Sequence, residues 1–255
     1  MSRLLRSLSL PCIIAAAFTT TGCDASLLGL GGGDTALVQV LVTHHGTAED
    51  GKFPDHRSGL GDQKFETDEG WTITLTDAHI VTAQVAVMGC DGTQIELERY
   101  WGALPEDIRS DDLRLFTFGG VEVDAGNYCG AVVTYGPYAA PTKADRAASE
   151  IPDVDDDLVG ATVNIVGHAE LGDVLIPFEI RSSERLVVEA PLPDGGLEVS
   201  GDEPFPVELT VAKTYDRMFD GIDFAEITPE DLDNTVLALL SAETRLTDGT
   251  VVSID

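Results

Sequence analysis

The chain reads as an all-β sandwich closed by one short C-terminal α-helix, and three observations predict it. Strand-like apolar runs dominate the chain from Thr35 onward, with clean two-residue alternation from Trp71. Gly- and Asp-rich turn signals punctuate those runs. A single segment with helical periodicity appears, and only near the end. With 43% of residues hydrophobic, the chain is long enough to bury one sizeable core or two small ones.

The first strand is predicted at residues 35–45, where Leu37, Val38, Val40, Leu41 and Val42 make a mostly buried, β-branched run ending in His44 and His45. Residues 46–70 lack apolar periodicity and contain six glycines and prolines, so a long structureless connection is expected. From Trp71 the alternation is clean: Trp71, Ile73 and Leu75 on one side, Thr72, Thr74 and Thr76 on the other. Asp77-Ala78 marks a bulge or turn, after which His79, Val81, Ala83, Val85 and Val87 continue with period two. Asp91-Gly92 is a tight-turn signal, and residues 95–100 are the expected returning strand. Further strands are predicted at 113–118, 121–123, 161–168, 174–180, 186–190 and 207–213. Residues 138–158 are polar and proline-bearing, a loop or a seam. Thr228-Pro229-Glu230-Asp231 then gives a capping residue, a first-turn proline and two first-turn acids. Leu232, Val236, Leu237, Leu239 and Leu240 supply that helix's apolar stripe.

In residues 124–137 the order of strand, Ala125-Gly126, Tyr128, strand resembles the turns between edge strands of Ig-like or prealbumin-like sandwiches, and implies that architecture. The expected organisation is a leader at 1–22, a Gly-rich tether at 23–34, and a β-sandwich domain at 35–227 with a helix and tail at 228–255. The sandwich reads as one body or as two β halves, 35–137 and 159–225.

The N-terminus carries basic Arg3 and Arg6, an apolar run from Leu8 to Phe18 too short to span a bilayer, and small residues Thr20, Thr21 and Gly22 before Cys23. This order resembles a bacterial lipoprotein signal, which implies that Cys23 becomes the lipid-modified first residue of the mature chain. Thr20 stands where such signals usually carry Leu. The plain alternative is an ordinary secretory signal cut near Ala17 or Gly22. Both readings export the chain to the cell envelope. Lipidation would anchor it to the inner or outer membrane, facing the periplasm or the surface, because two or more acyl chains hold a protein stably. Asp24 after the cysteine implies inner-membrane retention by the rule of enteric bacteria, a rule that transfers poorly to other bacteria.

Removal of residues 1–22 takes Arg3 and Arg6 from the 15 basic residues and leaves all 45 acidic ones, a formal charge of −32. Such a surface excludes nucleic acid as a partner, since phosphate recognition needs a basic face. It reads as a self-repelling, soluble exterior or as a means of cation capture. Of the four cysteines, Cys12 lies in the leader and Cys23 takes lipid, so Cys90 and Cys129 are expected to pair in an oxidising compartment. The rival reading is a thiolate metal site on the same two residues.

Histidines offer the sharpest binding site. His44 and His45 lie next to each other on a strand and point to opposite faces, so one of them, with His56 and His79, would make a three-imidazole site suited to copper or zinc. Trp71 near His79 resembles periplasmic copper-binding proteins that use two histidines and an oxidised tryptophan; Trp71 otherwise reads as a core residue. The plain alternative leaves the histidines solvated at strand ends and in loops, since no HxH or HExxH spacing is present. Asp153, Asp155 and Asp157 begin like a calcium loop, but Leu158 and Asn164 occupy positions that need Gly and Glu, which rules out an EF-hand. A looser calcium site with Glu150 or a solvated linker is left. Glu106, Asp107, Asp111 and Asp112 read as a second solvated acidic loop. No GxSxG, Walker or SxxK motif appears, so no enzyme is expected. The expected function is that of a non-catalytic envelope binding protein with copper or zinc, or a structural or adhesive module for protein or glycan, stabilised by calcium.

Overall fold

The computed structural model describes residues 34–49, 52–53, 61–100, 102–139, 156–201 and 203–249. They form an all-β sandwich with a short helix towards the C-terminus. The first sheet contains β1 (Thr35–His45), β5 (Glu98–Arg99), β7 (Phe116–Asp124), β13 (Val207–Thr214) and β14 (Thr244–Asp248), in the order β14-β13-β1-β7-β5. The second is built around β3 (Thr72–Gly89) and runs β10-β9-β3-β8-β11, with β8 at Gly126–Tyr135, β9 at Val163–Leu171, β10 at Val174–Ser182 and β11 at Leu186–Pro191. β2 (Gln63–Glu66), β4 (Gln94–Glu96) and β6 (Leu104–Asp107) pair with β3, and β12 (Leu197–Val199) pairs with β8. All these strands lie in one compact unit, Gly33–Asp255. No helix among the described residues is long and apolar enough to cross a membrane.

Val38, Val40 and Val42 of β1 face inward and are buried, as their two-residue spacing requires. The long strand β3 does not keep one phase. Its register slips between Leu75 and Asp77 against β9 and between Thr82 and Gln84 against β8. Each slip exchanges the faces, so the core takes Ile73 and Leu75, then Ala78 and Ile80, then Val85 and Val87. The expected single row from His79 to Val87 is thereby corrected. His79 faces away from the main core, and Val81 is buried in a separate small cluster with Tyr138, Leu158 and Ala161.

Three further expectations change. The returning strand after Asp91-Gly92 splits: β4 pairs with β3, but Glu98 and Arg99 cross to the other sheet and pair with β7, with Leu97 buried at the crossing. The connection at 46–70 is not wholly structureless, since β2 pairs with β3 and Glu49 bridges to Lys52. The chain also adds strands that its local pattern does not announce: β6, β12 and β14 are too short to display a period.

Helix α1 (Pro229–Ala242) starts where its signal places it. The Thr228 hydroxyl accepts the Asp231 backbone N–H at 3.2 Å, and Pro229 occupies the first turn. Leu232, Val236, Leu237 and Leu240 are buried, and the helix packs on β10, β11 and the turn at Asp216–Phe219. Since β10 and β11 are the two ends of one sheet's order, α1 fills the opening between them.

Cys90 and Cys129 form a disulfide with Cα atoms 4.8 Å apart, joining the end of β3 to β8. Replacing both by Ser should lower unfolding stability by roughly 4 kcal/mol on the loop-entropy estimate for a 39-residue separation, measured by urea titration at neutral pH. A loss near zero would mean that the crosslink leaves the unfolded ensemble unconstrained.

Candidate functional site

Two polar clusters meet at the C-terminal ends of β1 and β13. The parallel register sets His44 beside Lys213, each in the inward row of its strand: His44 follows Val38, Val40 and Val42, and Lys213 follows Leu209 and Val211. Glu106 reaches them from β6, which belongs to the opposite sheet. Its carboxylate lies 2.8 Å from His44 Nδ1 and 2.8 Å from Lys213 Nζ, and all three side chains are fully buried. The remaining His44 nitrogen lies 3.2 Å from the Ser110 carbonyl and 3.4 Å from its hydroxyl. Beside Lys213, the Tyr135 hydroxyl donates to Thr244 Oγ1 at 2.9 Å, which donates to the Leu240 carbonyl at 2.7 Å.

The electrostatics are mutually supporting. Burial by itself would raise the Glu106 carboxyl, but the Lys213 ammonium and then His44 outweigh it and hold the group at about 2. Burial likewise opposes the Lys213 charge, and Glu106 overcomes it, so the ammonium sits above its ordinary value. Burial pushes the Tyr135 phenol up, against the pull of Lys213. Glu106 and Lys213 therefore both stay charged inside the sandwich.

The second cluster surrounds His45, on the opposite face of β1 and 2% exposed. Its Nδ1 lies 2.8 Å from the Gly46 carbonyl, and since a carbonyl only accepts, Nδ1 carries the proton. Nε2 is then a bare lone pair, buried and without a hydrogen-bond partner among the described residues. Phe53 packs edge-on to the ring at 4.9 Å. Burial lowers the His45 pKa, partly offset by the Gly46 bond and the nearby carboxylates of Asp112 and Asp216. Asp112 accepts the Gly46 N–H at 3.2 Å and the Tyr215 hydroxyl at 3.4 Å, and Gln63 donates to that same hydroxyl. Asp216 accepts the Thr47 N–H at 3.0 Å. Burial and these two acids push the Tyr215 phenol up, which keeps it a neutral donor.

The other candidates lie elsewhere. His79 sits on the outer face of β3, 3.1 Å from Asp77, whose carboxylate also faces Arg109 at 3.6 Å and accepts from Asn164 at 2.9 Å. Trp71 is a core residue against Phe224, at 5.7 Å between ring centroids, and does not share His79's face. The Asp157 carbonyl accepts from Arg181 at 2.6 Å. Cys23, His56, Asp153 and Asp155 lie outside the described residues. Among the described residues no group of three His, Cys, Asp or Glu side chains converges in a metal-holding geometry.

Sequence reasoning placed Glu106 in a solvated acidic loop; it is 1% exposed and central to the inner cluster. Lys213 and His44 did carry a signal, since each continues an apolar alternating row. Glu106 carried none, because β6 is four residues long and its inward direction comes from pairing with β3.

No protein-family model matches the chain, and no curated protein matches its sequence. Among solved structures, MbnP from Methylosinus trichosporium aligns over 70% of this chain and 76% of its own, at 11% identity and a TM-score of 0.36.

Breaking the buried pair from one side should be severe. Lys213→Met or Glu106→Gln alone should cost about 3–5 kcal/mol, whereas the double variant Glu106→Leu/Lys213→Met should recover most of that loss, read by urea unfolding. Because folding depresses the Glu106 pKa from 4.5 to about 2, its contribution is present above the unfolded value and fades as pH falls between them. Unfolding titrations from pH 5 to pH 2 should show a decline of roughly 3 kcal/mol that the double variant lacks.

Proposed function

We propose that this chain is a non-catalytic cell-envelope lipoprotein that binds copper or zinc through His45. The observation that carries the reading is the His45 ring itself. Its Nδ1–H is fixed on the Gly46 carbonyl, and its Nε2 lone pair is buried with no donor beside it among the described residues. Metal-binding imidazoles are prepared in this way: a backbone carbonyl holds one nitrogen, sets the tautomer and aims the other. An unfilled buried acceptor is otherwise a cost with no return. Asp112 supports the arrangement by holding the Gly46 N–H, and Asp112 and Asp216 supply the negative field that a divalent or monovalent cation favours.

His44 does not serve this reading, because both of its nitrogens face Glu106 and Ser110. His79 is on another face, with Asp77. The second imidazole in the proposal is His56, the sequence candidate that remains. Export and acylation at Cys23 complete the reading: an oxidising compartment suits the Cys90–Cys129 disulfide, and the acidic exterior suits cation capture.

Metal analysis of protein purified without an affinity tag, and of the same protein titrated with copper or zinc, tests the proposal. One equivalent should bind; His45→Ala should abolish it, Asp112→Asn should weaken it about 10- to 100-fold, and His79→Ala should leave it intact. Absence of stoichiometric metal in the parent protein, or full binding by His45→Ala, would overturn it.

A further inference from the structure

Lys213 stands on β13 in the first sheet and Glu106 on β6 in the second, and their side chains meet where both are fully buried. Nζ and Oε2 are 2.8 Å apart. Among the described residues neither atom has a partner placed along hydrogen-bond directions, so this is a close contact that no directed hydrogen bond holds. The carboxyl carbon Cδ lies about 1.2 Å beyond Oε2, which puts it within roughly 4 Å of Nζ. Reacting atoms about 3–3.5 Å apart are poised for attack, and a small turn of the lysine stem reaches that range. The other carboxylate oxygen, Oε1, is 2.8 Å from His44 Nδ1. An ionised carboxylate only accepts, so Nδ1 carries a proton and aims it at Oε1.

We propose that Lys213 and Glu106 condense after folding into an amide that joins the two sheets covalently. The ion pair already contains every atom of that amide and of one water. Nζ passes a proton to the carboxylate and, as a neutral amine, attacks Cδ; the Nζ–Cδ bond forms and the Cδ–Oε1 bond breaks. Of the three ammonium hydrogens one stays on the amide nitrogen, and two leave with Oε1 as water. His44 supplies a proton to the departing Oε1, and a proton released from nitrogen restores it, so the imidazole ends as it began. No oxidant, reductant or further reactant enters.

Two features favour the product. Fixed geometry replaces an encounter in solution, equivalent to an effective concentration of about 10⁵–10⁸ M for well-oriented groups. The amide also removes two charges from an interior where desolvation opposes them, and the same burial keeps out the water that would hydrolyse it. The Cys90–Cys129 disulfide links β3 to β8 within one sheet; the amide adds a link between sheets, which the disulfide does not make. Folding assembles the ion pair first. The pH response of Glu106 belongs to the unlinked chain, because the linked one has no carboxyl there to protonate.

The test is intact mass spectrometry of the full chain as purified, incubated folded at neutral pH, with each sample denatured and reduced before reading. A species lighter by one water should accumulate with time, and should be missing from a parallel sample held unfolded in urea. Trypsin should then release residues 100–109 joined to residues 186–217, with no cut after Lys213. That joined pair separates the amide from cyclisation at an Asp-Gly step such as Asp91-Gly92, which also loses water but leaves the two peptides apart. Lys213→Arg should stay at full mass, and Glu106→Gln should lose ammonia instead of water while joining the same two peptides. An unchanged mass in the folded parent protein would overturn the proposal, as would a water loss that maps to any other residues. The parent protein alone gives both answers, whether or not the variants fold.

Discussion

Glu106 ties the two sheets together at one point by electrostatics. It stands on a strand of one sheet and neutralises Lys213 and contacts His44 on the other, across an interior otherwise filled by Val, Ile, Leu and aromatic residues. A buried pair of this kind is weak as a source of net stability, since desolvation opposes the attraction. Its consequence is geometric. Any slip of β1 against β13, or of β6 against β3, would strand a charge in the core, so the register at the far end of the sandwich is specified sharply.

That fixed register also determines what lies on the opposite face of β1. His45 can be covered by Phe53 and held by Gly46 because its neighbour His44 is pinned inward one residue earlier. Tyr215, immediately after β13, then falls where Asp112 and Gln63 reach its hydroxyl. The inner triad and the outer imidazole therefore share one strand and one alternation. The first cluster confers rigidity, and the second presents a lone pair.

The division between the ends follows from the same strands. β1 and β13 run in parallel from the end where the described chain enters at Asp34, with its disulfide and exposed Phe205, to the polar clusters at the other.

The sequence by itself determined the class of the fold and the helix, because both are written in local periodicity and capping: the alternation from Trp71 to Leu75, the valines of β1, and Thr228-Pro229 at the start of α1. It made the Cys90–Cys129 pair the expected one, against a thiolate metal site on the same residues, and the structure forms the disulfide. Only the tertiary structure decided which polar residues meet. A bulge on each side of His79 set the stretch that carries it out of phase with the rest of β3, and a four-residue strand with no period of its own carried Glu106 into the core. Alternation specifies a face only as long as the register is unbroken, and a contact between residues 62 to 107 positions apart is set by pairing between strands, which no local run of the chain records.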